Sequence, residues 1–361
     1  MVFLAAIVFV DSYHVPIYAI TPGDAQSVSG IISVHGLSTD PHRDAILLTD
    51  VYISPDELTA GQWLLDQFQS HTAFVNANQL LDPNIPASEF NAQGFLQMSD
   101  SKNFARVAAL RALGWKVLSR PVGTTLVGIV SNSPAWKAHL AVGDRVVSFN
   151  GSPVLNSCQF IVDLHHMSAG SAVTIGVQHA TIGATGALTL QPTHNVHLTT
   201  VRANKHVGIS LCANDVAPES AIGIAFPEDS VQYTIPGTID ISTPNIGGPS
   251  AGLAMTLALI DRLSSGSLTG HKTVAATGTI DPNGNVGDVG GVAQKTVAVE
   301  RAGATIFLVP QSELSTARQA SSGHLIVLGV STLRQALRDL RHYGGDAPVP
   351  LSKPVTLMFT S

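Results

Sequence analysis

Residues 247–255 read Gly-Gly-Pro-Ser-Ala-Gly-Leu-Ala-Met and form the most informative segment of this sequence. It places Ser250 in a glycine-rich bend directly before an apolar helix predicted over Ser250–Leu263. The free N–H groups of a first helical turn surround such a hydroxyl, and they can stabilise an oxyanion. Taken alone, the hexapeptide fits two interpretations: a helix start with Ser or Pro at a capping position, or a nucleophilic serine.

A nucleophilic serine needs a base, and Lys295 is the candidate. Residues 277–295 read TGTIDPNGNVGDVGGVAQK, so Lys295 lies in the second turn of a helix predicted over Val292–Arg301. Apolar neighbours would partly desolvate its ammonium and lower its pKa. Moving that pKa from ~10.4 to near 7 costs about 4–5 kcal/mol. The alternative for Lys295 alone is a solvated lysine whose stem lies along the helix surface.

Together the two segments resemble the proteolytic domain of Lon-type proteases, over roughly Val201–His342. The resemblance implies a Ser–Lys dyad of Ser250 and Lys295, supported by Thr277, Gly248 and Pro249. Many ATP-dependent members carry an acidic residue where this chain has Gly247. Gly-Gly-Pro-Ser-Ala-Gly is instead similar to a membrane-anchored subfamily that lacks the ATPase, so self-inhibition by an acidic residue at this position is not expected.

A phosphate-binding loop for ATP is missing from the sequence. The nearest approach to Gly-x-x-x-x-Gly-Lys-[Ser/Thr] is Gly266–Thr273, where the spacing and the histidine before the lysine break the pattern. The sequence therefore predicts proteolysis without ATP. Two alternatives remain: a peptide-binding scaffold with an inactive protease domain, and a proteolytic subunit that works with a separate ATPase.

A second module is predicted over 121–192. Its segments Ile129–Ala135, Leu140–Val147 and Asn150–Val154 resemble a bacterial PDZ domain. Such a domain adds a substrate strand to an exposed strand edge beside a helix. The loop facing a peptide carboxylate is predicted at Gly123, Thr124, Thr125 and Leu126. An ordinary β-rich spacer is the alternative.

The expected fold class is α+β and multidomain, with a β-rich PDZ-like module and a mixed α/β Lon-type proteolytic domain. The predicted divisions are an apolar segment 1–10, an N-terminal α/β region 11–120, the PDZ-like domain 121–192, the proteolytic domain 196–343 and a tail 344–361. Local patterns predict a strand at Ala45–Ser54, a helix from Pro55 to about Asn76, a helix at Ser99–Leu113 and a linker at Gln191–Asn195.

The amino-acid composition argues against several classes of binding partner. The net charge is −6 and no block of like charges occurs, so nucleic-acid binding has no electrostatic support. The fourteen histidines form no metal-ligand spacing, so neither a metal nor a cofactor is expected.

Cys158 and Cys212 fit no disulfide framework and are interpreted as two small apolar residues. Three tryptophans are predicted to be core or packing residues rather than ligand contacts: Trp63, Trp115 and Trp136. The histidine pair His165-His166 is predicted to be exposed.

The first ten residues, Met1–Val10, are wholly apolar, and Asp11 ends the run. Ten residues cannot cross a bilayer, which needs ~20 in a helix. Composition alone leaves open a buried element of the fold or the end of a membrane anchor. The family resemblance favours the anchor, and with it a plasma-membrane location, an extracytoplasmic catalytic domain, protein or peptide substrates, and a ring-shaped homo-oligomer.

Overall fold

The computed structural model describes residues 13–41, 44–80, 87–183, 188–203, 212, 219–225, 227–244 and 246–352, so Met1–Val10 lies outside the described residues. The helices are α1 (Ala60–Asp66), α2 (Ala77–Leu80), α3 (Ala87–Ala112), α4 (Pro134–Lys137), α5 (Ser157–His165), α6 (Gly252–Leu263), α7 (Val292–Arg301), α8 (Leu314–Ala320) and α9 (Leu333–His342). The strands are β1 (Ile17–Ser27), β2 (Ile32–His35), β3 (Ile46–Ile53), β4 (Ala73–Asn76), β5 (Leu118–Thr125), β6 (Gly128–Ile129), β7 (Arg145–Phe149), β8 (Ser152–Pro153), β9 (Ala172–Gln178), β10 (Ala180–Ile182), β11 (Leu188–Leu190), β12 (His194–Thr199), β13 (Val201–Arg202), β14 (Ser220–Ala221), β15 (Ile224–Ala225), β16 (Glu228–Thr234), β17 (Thr238–Ile241), β18 (Ser264–Ser265), β19 (Val274–Ala276), β20 (Thr279–Ile280), β21 (Val286–Gly287), β22 (Ile306–Pro310), β23 (Ile326–Val330) and β24 (Val349–Pro350).

The first sheet has the strand order β23-β22-β19-β3-β1-β4. Its strands β23, β22, β19 and β3 run parallel, and β1 and β4 complete it in antiparallel pairing. All five residues of β22 are buried, as expected for a parallel strand that is covered on both faces. The alternation of α6 to α9 with β19 to β23 confirms the predicted α/β character of the C-terminal region.

This sheet joins the two ends of the chain. Strands β1, β3 and β4 come from the N-terminal region, whereas β19, β22 and β23 come from the C-terminal region. The sequence divides these parts into separate regions, 11–120 and 196–343, because local patterns do not show which strands pair. The domain boundaries stay a prediction, but the pairing of β3 with β19 makes the N-terminal strands part of the C-terminal sheet.

Helix α6 lies at the centre of the largest core. Eleven of its twelve residues are buried, and the exception is Arg262 in its last turn. It packs against α3, whose apolar positions from Ala105 to Leu110 belong to the same cluster. Burying one large aliphatic side chain contributes about 1.5–3 kcal/mol, so this interface holds the residues before α6 firmly in place.

The second sheet is antiparallel, with the strand order β12-β9-β7-β5-β16 and the short strand β8 beside β7. Its separate core includes Phe149 and Phe160, whose rings meet edge to face. The predicted linker at Gln191–Asn195 is wrong in its second half. His194 and Asn195 belong to β12 and pair with Val177 and Gly176, because the alternating pattern of β12 continues the sheet.

Three local predictions are corrected. The helix predicted from Pro55 to Asn76 is limited to α1, and the stretch ends as strand β4, because Ala73–Asn76 pairs with β1 at the sheet edge. Trp115 is buried as predicted, whereas Trp63 and Trp136 are exposed. His165 is buried because it lies on the inner side of α5, and only His166 is exposed.

Cys158 and Cys212 form a disulfide, which overturns the interpretation of two unpaired residues. Cys158 is the second residue of α5, and its partner is 54 residues further along the chain. The fold brings these two distant cysteines together, and the spacing of cysteines along the sequence does not reveal such a pair. The bridge fixes the N-terminal end of α5 to a distant segment of the chain.

Replacing both cysteines with serine is expected to lower the free energy of unfolding by about 2–4 kcal/mol, because the open chain gains conformational freedom when unfolded. Urea denaturation of the parent and of the double variant measures the difference. A reducing agent should bring the parent to the level of the variant and leave the variant unchanged. Equal stability of both proteins under oxidising conditions would contradict a disulfide between Cys158 and Cys212.

Candidate active site

Ser250 lies in the turn between β17 and α6, as the sequence predicts. Gly248, two residues earlier, has a φ of +82°, a left-handed conformation that favours glycine. A side-chain carbon at Gly248 would meet no atom of the described residues within 4 Å, so the glycine is required by the backbone conformation. Pro249 and the turn then deliver Ser250, half-buried, to the start of the helix.

The amide groups beside Ser250 are available as donors. Gly252 N–H donates to Pro249 O at 3.3 Å, and Met255 N–H donates to Ala251 O at 2.9 Å. Within the described part of the chain, the N–H groups of Ser250 and Ala251 have no acceptor. They are the unpaired donors of a helix start, the type of group that stabilises a developing oxyanion.

Lys295 lies on α7, whose bounds are those predicted. The helix begins after Gly291, which has a φ of +67° and packs so closely on β3 that an added side-chain carbon would lie 2.8 Å from Val51. This contact holds α7 against the first sheet. Lys295 is 2 % exposed, so the solvated-lysine interpretation is wrong.

Burial lowers the pKa of Lys295 to about 8. The carboxylates of Glu313 and Asp50 act in the opposite direction and raise it. Both are held in place: Glu313 Oε1 accepts from Val289 N–H at 3.0 Å, and Asp50 Oδ1 accepts from Asp24 N–H at 2.8 Å. With a pKa near 8, about a tenth of the side chain is neutral at pH 7 and able to accept a proton.

Thr277 connects the serine turn to the lysine. It is fully buried, and its Oγ1 accepts from Lys295 Nζ at 3.4 Å and donates to Ser250 O at 3.2 Å. Gly278 N–H also donates to Ser250 O, at 2.9 Å. The predicted supporting threonine therefore contacts both candidate residues. Among the described residues, Ser250 Oγ itself has no hydrogen-bond partner.

Helix α3 holds the serine turn from the other side. Gly94 O accepts from Gly248 N–H at 2.8 Å, and Ser101 Oγ donates to Pro249 O at 3.0 Å. A side-chain carbon on Gly247 would lie 3.3 Å from the Gly94 backbone, so two glycines allow this approach. Sequence reasoning did not identify Gly94, and a glycine inside an otherwise helical stretch was the available signal.

Of the four residues predicted to face a peptide carboxylate, Gly123, Thr124 and Thr125 lie in β5 of the second sheet, and Leu126 directly follows it. β5 pairs with β16 on one side and with β7 on the other, and Thr124 and Leu126 are fully buried. Thr124 Oγ1 donates to Glu228 O at 2.9 Å, and Thr125 Oγ contacts Ser230 Oγ. Gly123 packs against Val146 O. Gly123, Thr124 and Thr125 thus belong to a paired strand, and the prediction of a carboxylate-facing loop at these residues is corrected.

Comparisons with known proteins assign two parts of the chain. Residues 224–337, which include Ser250, Thr277 and Lys295, match the Lon protease (S16) C-terminal proteolytic domain. Residues 96–190 match the PDZ domain. The PDZ domain of the SdrC-like protein from Listeria monocytogenes aligns with a TM-score of 0.21 and 19% identity, covering 28% of this chain and 85% of that one.

Two relatives illustrate the sequence similarity. The Lon protease of Ureaplasma parvum serovar 3 is 33% identical over 147 residues, which are 40% of this chain and 17% of that protein. The Lon protease of Clostridioides difficile is 45% identical over 64 residues, 18% of this chain and 8% of that protein. The chain thus matches less than a fifth of each relative's length. On its matched segments, this chain carries a Lon-type proteolytic domain together with a PDZ domain.

Proposed function

We propose that this protein is an ATP-independent serine endopeptidase with Ser250 as nucleophile and Lys295 as general base. One observation carries the proposal: a buried lysine with a lowered pKa is joined through Thr277 to the turn that presents a serine beside two unpaired amides. The Gly-Gly-Pro-Ser-Ala-Gly sequence around Ser250, which is similar to that of a subfamily without the ATPase, supports turnover without ATP.

In this mechanism Lys295 accepts and returns the proton at each step. Ser250 Oγ attacks the scissile carbonyl carbon while neutral Lys295 takes the hydroxyl proton. The N–H groups of Ser250 and Ala251 hold the resulting oxyanion. Collapse breaks the C–N bond, and the Lys295 ammonium gives its proton to the leaving amine. Water then attacks the acyl-enzyme, its proton passes through Lys295 to Ser250 Oγ, and the peptide acid leaves.

The test is cleavage of an unfolded protein by the purified chain in the absence of ATP. The parent is expected to cleave, and Ser250→Ala is expected to lose cleavage because no nucleophile remains. Ser265→Ala, at an exposed serine beyond the end of α6, is the matched control and should cleave like the parent. Equal cleavage by parent and Ser250→Ala would overturn the assignment of the nucleophile.

Substrate capture is proposed for the PDZ domain. Gly123, Thr124 and Thr125 lie inside the second sheet, but β12 and β16 end that sheet on either side. A terminal strand has unpaired backbone groups that accept an added peptide strand. Binding of an unfolded protein by the Ser250→Ala variant, measured without turnover, tests this part. His197→Pro interrupts β12. If binding of the unfolded protein is undiminished by this substitution, β12 is not the strand that captures the substrate.

A membrane-attached, extracytoplasmic location is also proposed. A disulfide is typical of oxidising compartments. Two large apolar side chains, Leu65 in α1 and Phe68 in the turn after it, are 69% and 85% exposed. Helix α1 is joined to the start of the described chain, since Ala60 N–H donates to Tyr13 O. No helix in the described ranges is long and apolar enough to cross a membrane. Thiol labelling of the chain in intact cells without a reducing agent would contradict this location.

A second candidate function is a peptide-binding scaffold with a silent protease domain. The observation that favours it is the unpaired Ser250 Oγ, which has no hydrogen bond to Lys295 Nζ among the described residues. Hydrogen bonds of catalytic groups often tighten only when substrate binds, so both candidates remain compatible with this geometry. Covalent labelling of Ser250 by a fluorophosphonate separates them, because only an activated serine reacts. A ring-shaped assembly and a separate ATPase partner stay predictions.

A further inference from the structure

A cavity of about 680 Å³ lies between α3 and one face of the second sheet. Helix α3 contributes Asn103 and Arg106, and the strands contribute Arg120, Arg145 and Gln178 among others. The volume is typical of pockets that bind small molecules, which span about 300–1,000 Å³. The cavity is separate from Ser250 and Lys295, which do not line it.

Among the described residues that line the cavity, three are arginines and none is acidic. Arg120 donates through Nε and Nη2 to Gln232 Oε1, at 2.9 and 2.6 Å. Arg106 donates through Nε to Lys102 O at 3.2 Å. Arg145 Nε is buried and has no hydrogen-bond partner in the described ranges of the chain. A buried guanidinium donor without an acceptor destabilises the folded protein, and a bound acceptor would remove this destabilisation.

The carboxylates that act on Arg106 and Arg145 do not form salt bridges with them among the described residues. Asp100 on α3 attracts Arg145, and Asp240 attracts Arg106, but neither pair is a salt bridge in the described part of the chain. Burial raises the pKa of Asp100 to about 7, so its charge is incomplete at neutral pH. Burial also lowers the pKa values of Arg106 and Arg145, as expected for cations that have lost water without gaining a close anion.

We propose that this cavity binds a small, multiply charged oxyanion, held by Arg106, Arg120 and Arg145. Planar guanidinium groups bind carboxylate and phosphate oxygens through paired hydrogen bonds. The polar side chains of Asn103, Gln178 and Thr193 supply further donors to a ligand of this kind. Phosphate and polycarboxylates share this chemistry, and the proposal does not depend on proteolytic activity.

Isothermal titration of the purified chain with inorganic phosphate and, separately, with citrate tests the proposal at constant ionic strength. Saturable binding of at least one probe is expected, and the two arms distinguish a phosphate from a polycarboxylate ligand. Arg145→Gln should weaken binding at least tenfold. Arg145→Lys keeps the charge but loses the planar fork, so it should also weaken binding. Arg338→Gln, at an exposed arginine of α9, is the control and should bind like the parent.

The heat of titration has to saturate, because phosphate and citrate stabilise most proteins without binding to a site, by exclusion from their surface. Absence of saturable binding to the parent by both probes would overturn the proposal. So would equal affinities of the parent and Arg145→Gln. If Arg145→Gln does not fold, as judged by its circular dichroism, Arg145→Lys decides between these outcomes by the same comparison.

Discussion

Lys295→Met is expected to abolish proteolysis and to raise the free energy of unfolding at pH 7 by up to about 3 kcal/mol. Methionine is similar in length and apolar, so it fills the buried site without an ammonium group. Burial lowers the pKa of Lys295 from 10.5 to about 8, and a pKa difference of one unit corresponds to about 1.4 kcal/mol. The folded protein therefore bears a stability cost for keeping a base at this position.

The pH dependence identifies the cause of the difference. Because the pKa is lower in the folded state, the unfolded chain binds more protons between about pH 8 and 10.5, and the stability of the parent rises over this window. The advantage of Lys295→Met should be largest below about pH 8 and should shrink towards pH 10.5. Urea denaturation at several pH values measures it, with Lys137→Met at an exposed lysine as control. A variant less stable than the parent at every pH would contradict the buried cation.

Thr277→Val is expected to lower the pH-independent plateau of kcat/KM about a hundredfold, because loss of fixed geometry at a reacting group has effects of this size. Valine keeps the shape of threonine but removes the hydroxyl that accepts from Lys295 Nζ and donates to Ser250 O. The ammonium form then loses its hydrogen-bond acceptor, so the acid limb of the pH–rate profile should move to lower pH.

Thr277→Ser is the matched control, since it retains the hydroxyl and should retain both the plateau and the pH profile. A purely structural role for Thr277 predicts a different pattern. In that case Thr277→Val would change stability while the position of the acid limb stayed unchanged. Measuring the complete pH profile for both variants separates the two roles.

Short-range patterns predicted the elements that carry the chemistry. Helix α7 has its predicted bounds, and α6 begins two residues after the predicted start, since glycine-rich turns and apolar spacing mark both helices. Thr277 lies beside Lys295 as the family resemblance implied. The low pKa of Lys295 also followed from its apolar neighbours, although the carboxylates of Glu313 and Asp50 could not be anticipated, because they reach the site from distant parts of the chain.

Long-range features did not follow from the sequence. The bridge of Cys158 to Cys212, the pairing of β3 with β19 and the contact of Gly94 with Gly248 each join segments far apart in the chain. The hydrophobic periodicity of a segment predicts a helix or a strand and shows which of its faces is buried. It does not show which other helix or strand packs against that face. The prediction at Gly123–Leu126 failed for the same reason, because β16, which covers this strand, comes about a hundred residues later.

The shared first sheet imposes an order of events during synthesis. About 220 residues separate β3 from its parallel partner β19, and a ribosome adds about 5–20 residues per second. Strands β1, β3 and β4 therefore emerge with one edge unpaired for roughly 10–40 seconds, while the PDZ domain between them and β19 is completed first. The newborn chain has to keep this edge from pairing with other chains until its C-terminal half arrives, and a fragment that begins after the PDZ domain would lack half of its sheet.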